Sequence, residues 1–188
     1  MDTFEALKLR RSIRKYKPDP VDDQLVNTVL EAARLAPSWT NTQCWRFIVI
    51  KDAVIRAKLA ETLQPNPALG LNPAAVGVKN APVVIVALAE KGIAGFYKGE
   101  TYTSKGEWWF MYDVAAAMEN LTLAATALGL GTVHIGLFDA AKAAEILEVP
   151  DTFHVVAMTP LGYPEFWPNP RPRKELSELV FKEKFGGK

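Results

Sequence analysis

MYDVAAAMENLTLAATAL at residues 111–128 runs straight into GLGTVHIG at 129–136, and the order of these two pieces decides how the chain is read. Met111, Val114, Ala115, Met118, Thr122, Ala125 and Leu128 recur at helical spacing. Gly129 and Gly131 stop that helix. Thr132 to Ile135 then reads as a short strand. A dinucleotide-binding fingerprint needs the opposite order, with glycines that follow a strand and open a helix. Its third glycine is also missing, because position 134 is His. Gly129 is therefore read as a helix C-cap. Gly136, after the strand, can let a cofactor approach the backbone. The helix is rich in alanine, which suits close packing in the centre of the domain or across a subunit interface.

The flanking sequence supplies the other elements. Thr3 to Leu9 reads as helical. Asp22 caps a helix whose Leu25, Val26, Val29, Leu30 and Ala33 share a face, and Pro37 ends it. Trp45 to Ile50 reads as a strand and Asp52 to Leu63 as a helix. Gln64 to Asn72 is a loop. Pro82 to Ala89 is a continuous apolar run of strand length, so it is read as a buried strand. Lys91 to Gly106 contains Gly92, Gly95, Gly99 and Gly106 and shows no period; it is a long loop, of the kind that often carries function. Asp139 begins a helix to about Glu148, and Phe153 to Leu161 is a further strand. The tail from about 165 to 188 holds Pro168, Pro170 and Pro172. It cannot build a core and is expected to wrap a partner subunit. Residues 1–188 are read as one domain.

Composition narrows the class. The chain has 188 residues, 49% hydrophobic and 23% charged, with a formal net charge of +1. That balance suits a globular protein and gives no general attraction to nucleic acid or to a membrane. Cys44 is the single cysteine, so neither an internal disulfide nor a cysteine-ligated cluster is possible. The apolar run at 81–89 is too short to cross a bilayer, and no signal-peptide pattern is visible. The expected location is cytoplasmic. His134 and His154 are isolated and read as packed residues, so no metal is expected. No Walker A motif and no Gly-x-Ser-x-Gly elbow occurs.

Chemistry concentrates elsewhere. Arg10, Arg11, Ser12 and Arg14 put three guanidiniums and a hydroxyl within five residues. Guanidinium donors match phosphate oxygens. The competing reading is that cations favour the end of the preceding helix. Arg171, Arg173 and Lys174 form a second basic cluster. Between the two lies Pro37-Ser38-Trp39-Thr40-Asn41-Thr42-Gln43-Cys44-Trp45, rich in amide and hydroxyl donors. A phosphate clamp with a polar, aromatic loop suggests a flat, phosphorylated cofactor. Cys44 itself reads as a small buried hydrophobe. Trp108, Trp109 and Phe110 form core, or else a stacking surface at a pocket mouth.

These motifs resemble those of the flavin-dependent nitroreductase family, over nearly the whole chain. Arg-Arg-Ser-Ile-Arg at 10–14 resembles its N-terminal phosphate motif. Residues 36–45 resemble its Ala-Pro-Ser-x-x-Asn-x-Gln-Pro-Trp segment, with Cys44 where proline is usual. Gly131 to Gly136, Leu161 to Pro164 and Arg171 to Lys174 match its C-terminal half. The resemblance implies an α+β nitroreductase-like fold with a mixed central β-sheet flanked by helices, in an intertwined homodimer with two FMN sites at the interface. It implies that Arg10, Arg11, Ser12, Arg14, Arg171 and Arg173 hold phosphate, ribityl or the pyrimidine edge. Pro37, Ser38, Trp39, Asn41 and Gln43 would reach a flavin held mainly by the other subunit. The backbone of His134, Ile135 and Gly136 would face N5 and O4.

The function implied is an FMN-dependent NAD(P)H oxidoreductase. NADH or NADPH would reduce the flavin, and a nitroaromatic, quinone or other electron-poor acceptor would reoxidise it in a ping-pong mechanism. Flavin-centred chemistry needs few protein acids or bases. No catalytic residue is assigned, and Arg14 is the candidate for stabilising reduced flavin. Two alternatives share the motifs: a reductive dehalogenase or flavin-fragmenting enzyme, and a non-catalytic flavin-binding sensor or storage protein. Lys91 to Gly106 corresponds to the variable region of the family, so the substrate does not carry over.

Overall fold

The computed structural model describes residues 1–187. In chain order its elements are helices α1 (Thr3–Leu9) and α2 (Asp23–Arg34), strand β1 (Trp45–Ile50), helices α3 (Ala53–Glu61) and α4 (Ala75–Asn80), strands β2 (Val83–Glu90), β3 (Phe96–Tyr97) and β4 (Glu100–Thr101), helix α5 (Trp109–Ala127), strand β5 (Gly131–Thr132), helix α6 (Ala140–Ile146), strand β6 (Phe153–Gly162) and helix α7 (Leu176–Leu179). Helices α1, α2, α3 and α6 begin where an aspartate accepts from the unpaired amides of the first turn. Asp2 and Glu5 form a capping box on α1. Asp22 accepts from Gln24 N at 2.7 Å, Asp52 from Val54 N and Ile55 N at 2.9 Å, and Asp139 from Lys142 N at 2.9 Å.

The central sheet has the order β1-β2-β6-β5. Its ladders are antiparallel. The parallel component is a bridge from Ser12 to Thr132, which makes the sheet mixed. β2 is the spine. Val83, Ile85, Ala87 and Ala89 pack on one side with Val29 and Ala33 of α2 and Val114, Ala117, Met118, Leu121 and Ala125 of α5. Val84, Val86 and Leu88 pack on the other side with Leu59 of α3, Val78 of α4 and Ala143 of α6. Helices thus cover both faces, and the fold class is the α+β arrangement expected. A strand buried on both faces must be apolar at every position, which is why Pro82 to Ala89 shows no alternation.

Around β5 the boundaries differ from the sequence reading. Gly131 belongs to β5 and not to the helix stop. Gly129 alone closes α5, with φ 76°, and a Schellman pair forms from Gly129 N to Thr126 O at 3.0 Å and Leu130 N to Ala125 O at 2.8 Å. The strand expected at 132–135 ends after Thr132. The next partner along β6 is Pro160, which has no N–H to give. Val133 N donates instead to Thr159 Oγ1 at 3.1 Å, and Ile135 rejoins β6 through a single bridge to Met158. Helix α4 falls where the sequence reading assigned nothing. Among the described residues no helix is long and apolar enough to cross a membrane.

Candidate cofactor site

The arginine motif is pinned to the edge of the sheet. Ile13 N donates to Thr132 O at 2.8 Å, and Ile13 is 1% exposed. A Cβ on Gly131 would lie 2.6 Å from Ile13 Cγ1, so only glycine lets the motif pass this close. Arg10 is the C-cap of α1, and its charge is felt by His134. Arg14 is exposed, with Nη1 donating to Ser12 O at 3.3 Å. Arg11 is used differently. Its Nη1 donates to Lys8 O at 2.7 Å and Arg10 O at 2.8 Å, and its Nε donates to Pro168 O at 3.2 Å. It therefore ties the motif to the tail. Arg171 and Arg173 lie exposed on that tail.

The ion pairs among the described residues are Arg34–Glu31, Arg46–Glu90 and Lys51–Asp23. None uses Arg10, Arg11, Arg14, Arg171 or Arg173. Among the described residues no carboxylate pairs with those guanidiniums.

His134 Nε2 lies 2.7 Å from Thr122 Oγ1 on α5. Burial lowers its pKa, and the Arg10 charge adds to this; Glu119 and the Met118 carbonyl pull the other way. His154 stacks on Phe110 with ring centroids 4.6 Å apart. Both histidines therefore have packing or hydrogen-bonding roles. Phe110 is core, while Trp108 is 66% exposed, so the aromatic block divides between the two readings given above.

The Pro37–Gln43 loop is built around a 3₁₀ turn at Trp39–Asn41. Thr40, Asn41 and Gln43 take φ of 42°, 60° and 47°, a left-handed backbone that costs most residues energy. Ser38 Oγ accepts from Gln43 N at 2.9 Å and holds the loop closed. Asn41 and Gln43 are exposed, and Thr42 Oγ1 is buried without a hydrogen-bond partner. Trp39 N donates to both carboxylate oxygens of Asp113, at 3.2 and 3.1 Å, and Trp39 Nε1 donates to Phe96 O at 3.0 Å. Cys44 is fully buried, 3.9 Å from Asp113 Oδ2. Burial first, and then the Asp113 charge, push the thiol pKa up to about 12, so it stays protonated. Sequence reasoning missed Asp113. The only cue in the sequence is an acid on the face of α5 that also carries Val114 and Ala117, and that cue names no partner.

The strand registers place the two groups apart. Trp45, which follows the loop, pairs with Ala89, and Ala89 pairs with His154. Thr132, which holds the arginine motif, pairs with Leu161, and Leu161 pairs with Val83. Between Val83 and Ala89 the sheet extends roughly 20 Å at about 3.3 Å per residue. β1 and β5 are also opposite edges. Arg10 to Arg14 lie at one corner, His134 to Gly136 run from it along the same edge to mid-strand, where Ile135 meets Met158 opposite Val86, and Pro37 to Gln43 occupies the diagonal corner.

The pattern described as "Nitroreductase family" matches residues 7–163. The chain belongs to the nitroreductase family. A nitroreductase family protein of Clostridium novyi NT is 32% identical, with a TM-score of 0.78 over 100% of this chain and 96% of that one. A protein of Thermus thermophilus named NADH dehydrogenase is 30% identical over 96% of this chain and 95% of its own. An iodotyrosine deiodinase, solved with FMN and 3-iodo-L-tyrosine, shares the fold at 19% identity, with a TM-score of 0.78 over 97% of this chain and 99% of that one. Membership in the nitroreductase family makes this protein an oxidoreductase. The family match ends at Tyr163, so the basic tail lies outside it.

Proposed function

We propose that this protein is an FMN-dependent NAD(P)H oxidoreductase that reduces nitroaromatic, quinone or similar electron-poor compounds. The observation that carries the reading is the Arg10–Arg14 motif, fastened to β5 beside His134 with no guanidinium in an ion pair among the described residues. Un-neutralised arginines at a strand edge are suited to a phosphate dianion. The loop residues fit the rest of a flavin: Asn41 and Gln43 present exposed side chains, and Thr42 Oγ1 has an unused hydrogen-bonding valence. That the deiodinase of the same fold is described with FMN supports the choice of flavin.

Bound FMN would supply hydride chemistry at N5. Arg10 and Ser12 would hold the phosphate and ribityl end, with Arg171 and Arg173 closing from the tail. Arg14 would set its charge against the pyrimidine edge, where negative charge collects. The backbone of His134, Ile135 and Gly136 would line the reactive side. Pro37, Ser38, Trp39, Asn41 and Gln43, at the diagonal corner of their own sheet, would serve the flavin of a second copy. The site would then be completed in a homodimer.

The test is anaerobic mixing of the flavin-loaded protein with NADH and, separately, NADPH, followed by reoxidation with a nitroaromatic, a quinone and a halogenated tyrosine. Reduction by a nicotinamide and reoxidation by either of the first two is the expected result. Turnover with the halogenated tyrosine alone would favour a dehalogenase, which the exposed Lys98, Glu100 and Tyr102 of the 91–106 segment, the lid in this reading, could serve by meeting a zwitterion. Flavin that neither nicotinamide reduces would favour a sensor or storage protein.

A further inference from the structure

Asp113 is 1% exposed and forms no ion pair among the described residues. A buried carboxylate without a cation is costly unless its oxygens are hydrogen-bonded. Burial raises its pKa, while the Trp39 amide, the Trp109 side chain and the Cys44 thiol favour the charged form. Both oxygens converge on a single backbone amide, Trp39 N. That amide opens the 3₁₀ turn at Trp39–Asn41. The residue in the N-cap place, Ser38, makes no cap bond, because its hydroxyl is taken by Gln43 N. Asp113 therefore caps, from 74 residues away, a turn whose own cap is engaged elsewhere.

The turn needs such a hold. Two of its own residues, Thr40 and Asn41, and Gln43 just beyond it sit in left-handed backbone that relaxes unless it is restrained. Trp39 then carries the restraint outward. Its ring meets Trp109 edge-on at 5.2 Å, and its indole N–H donates to Phe96 O in the β3–β4 hairpin. One residue thus joins α5, the cofactor-facing loop and the lid.

We propose that Asp113 is a positioning residue, which clamps the Trp39 amide so that the loop presents Ser38, Asn41 and Gln43 to the cofactor, and that Trp39 passes the same hold to the lid. The proposal rests on the flavin reading above for what the loop faces, though the clamp itself does not.

Hydrogen exchange in the flavin-free protein tests the clamp. In the wild type the Trp39 amide should exchange slowly although its loop is largely exposed. Asp113→Leu fills the space but offers no acceptor. It should speed exchange at Trp39 by about tenfold or more, and raise exchange at Phe96 and Tyr102 in the lid, while α5 beyond Val114 keeps its protection. FMN titration should show a dissociation constant raised by about tenfold. Asp113→Asn keeps an acceptor oxygen and should restore both quantities to within about threefold of wild type. A Trp39 amide that exchanges freely in the wild type overturns the proposal, and this holds even if the leucine variant does not fold. Unchanged loop exchange in a folded leucine variant also overturns it, as does an asparagine variant that behaves like leucine. If the wild type binds FMN and the leucine variant matches it in exchange, the clamp fails and the flavin reading stands. If the loop loosens as expected but the wild type binds no FMN, the flavin reading fails and the clamp stands.

Discussion

Gly131 shows how one atom can set a site. Its missing Cβ is the space that Ile13 occupies, and Ile13 fixes where Arg10, Ser12 and Arg14 emerge. Gly131→Ala should therefore destabilise the fold by roughly 1–3 kcal/mol, the usual cost of overpacking. Urea unfolding measures this, and an unchanged midpoint would mean that Ile13 moves aside freely. Arg173→Ala should weaken FMN binding on the order of tenfold to a hundredfold, since one charge-assisted contact contributes about 1.5–3 kcal/mol. An unchanged dissociation constant would make Arg173 an ordinary surface residue. His134 gives a pH dependence. Its folded pKa lies below the ordinary 6.5 because desolvation of the ring against α5, helped slightly by Arg10, outweighs Glu119 and the Met118 carbonyl, although the residue keeps an exposed surface. Above 6.5 it is neutral in both states and contributes nothing. As pH falls below 6.5 the unfolded chain takes up the proton first, so stability drops. Wild type should lose more stability than His134→Gln between about pH 7.5 and about 5.5. A residual slope from His154, also lowered, remains in both. Equal slopes would show that the ring is fully solvated. The sequence made the arginines and the loop amides visible, because their chemistry is local. Asp113 was not visible, because its partner Trp39 is remote in sequence and near only once α5 packs on the loop.

At the scale of elements, helices and buried strands were legible from period, cap and apolar run. Asp22, Asp52 and Asp139 cap the helices they were placed beside, and β2 matches its apolar run. The lid was harder. Residues 91–106 read as loop, and two-residue strands offer no alternation to detect. Yet Phe96 pairs with Thr101 and Tyr97 with Glu100, around Lys98 and Gly99 at φ 52° and 83°. This is the positive-φ pair that a tight two-residue hairpin demands. β5 was misjudged because the limit on its length lies in Pro160 of another strand. Replacing Phe96 to Ser104 with a short Gly/Ser linker should change relative rates among acceptors severalfold while FMN content survives. That contrast follows because no proposed phosphate ligand lies in the hairpin, whereas specificity commonly resides in loops held by a rigid scaffold. Steady-state rates with a panel of nitroaromatics and quinones measure it. Unaltered preference would place the acceptor pocket elsewhere.

At the scale of the molecule, apolar surface is left without a partner. Leu176, Leu179, Val180 and Phe181 of the tail are 73%, 60%, 55% and 42% exposed, and Phe4 of α1 is 74% exposed. A groove of about 380 Å³ lies between Met1, Leu9, Arg11, Gly129, Trp167 and Pro168. Exposed apolar patches of this kind mark interaction surfaces, and the diagonal separation of the two motif groups gives a second copy work to do. Sedimentation should show a species of about twice the chain mass of 20.7 kDa. A folded, flavin-loaded monomer would leave the Pro37–Gln43 loop far from the arginine corner of its own chain. The two basic clusters are proposed to hold FMN, and chromatography of the cofactor released by heat from the purified protein tests this. The expected result is FMN, close to one per chain; release of FAD, or no flavin retained even after incubation with excess FMN, would contradict it.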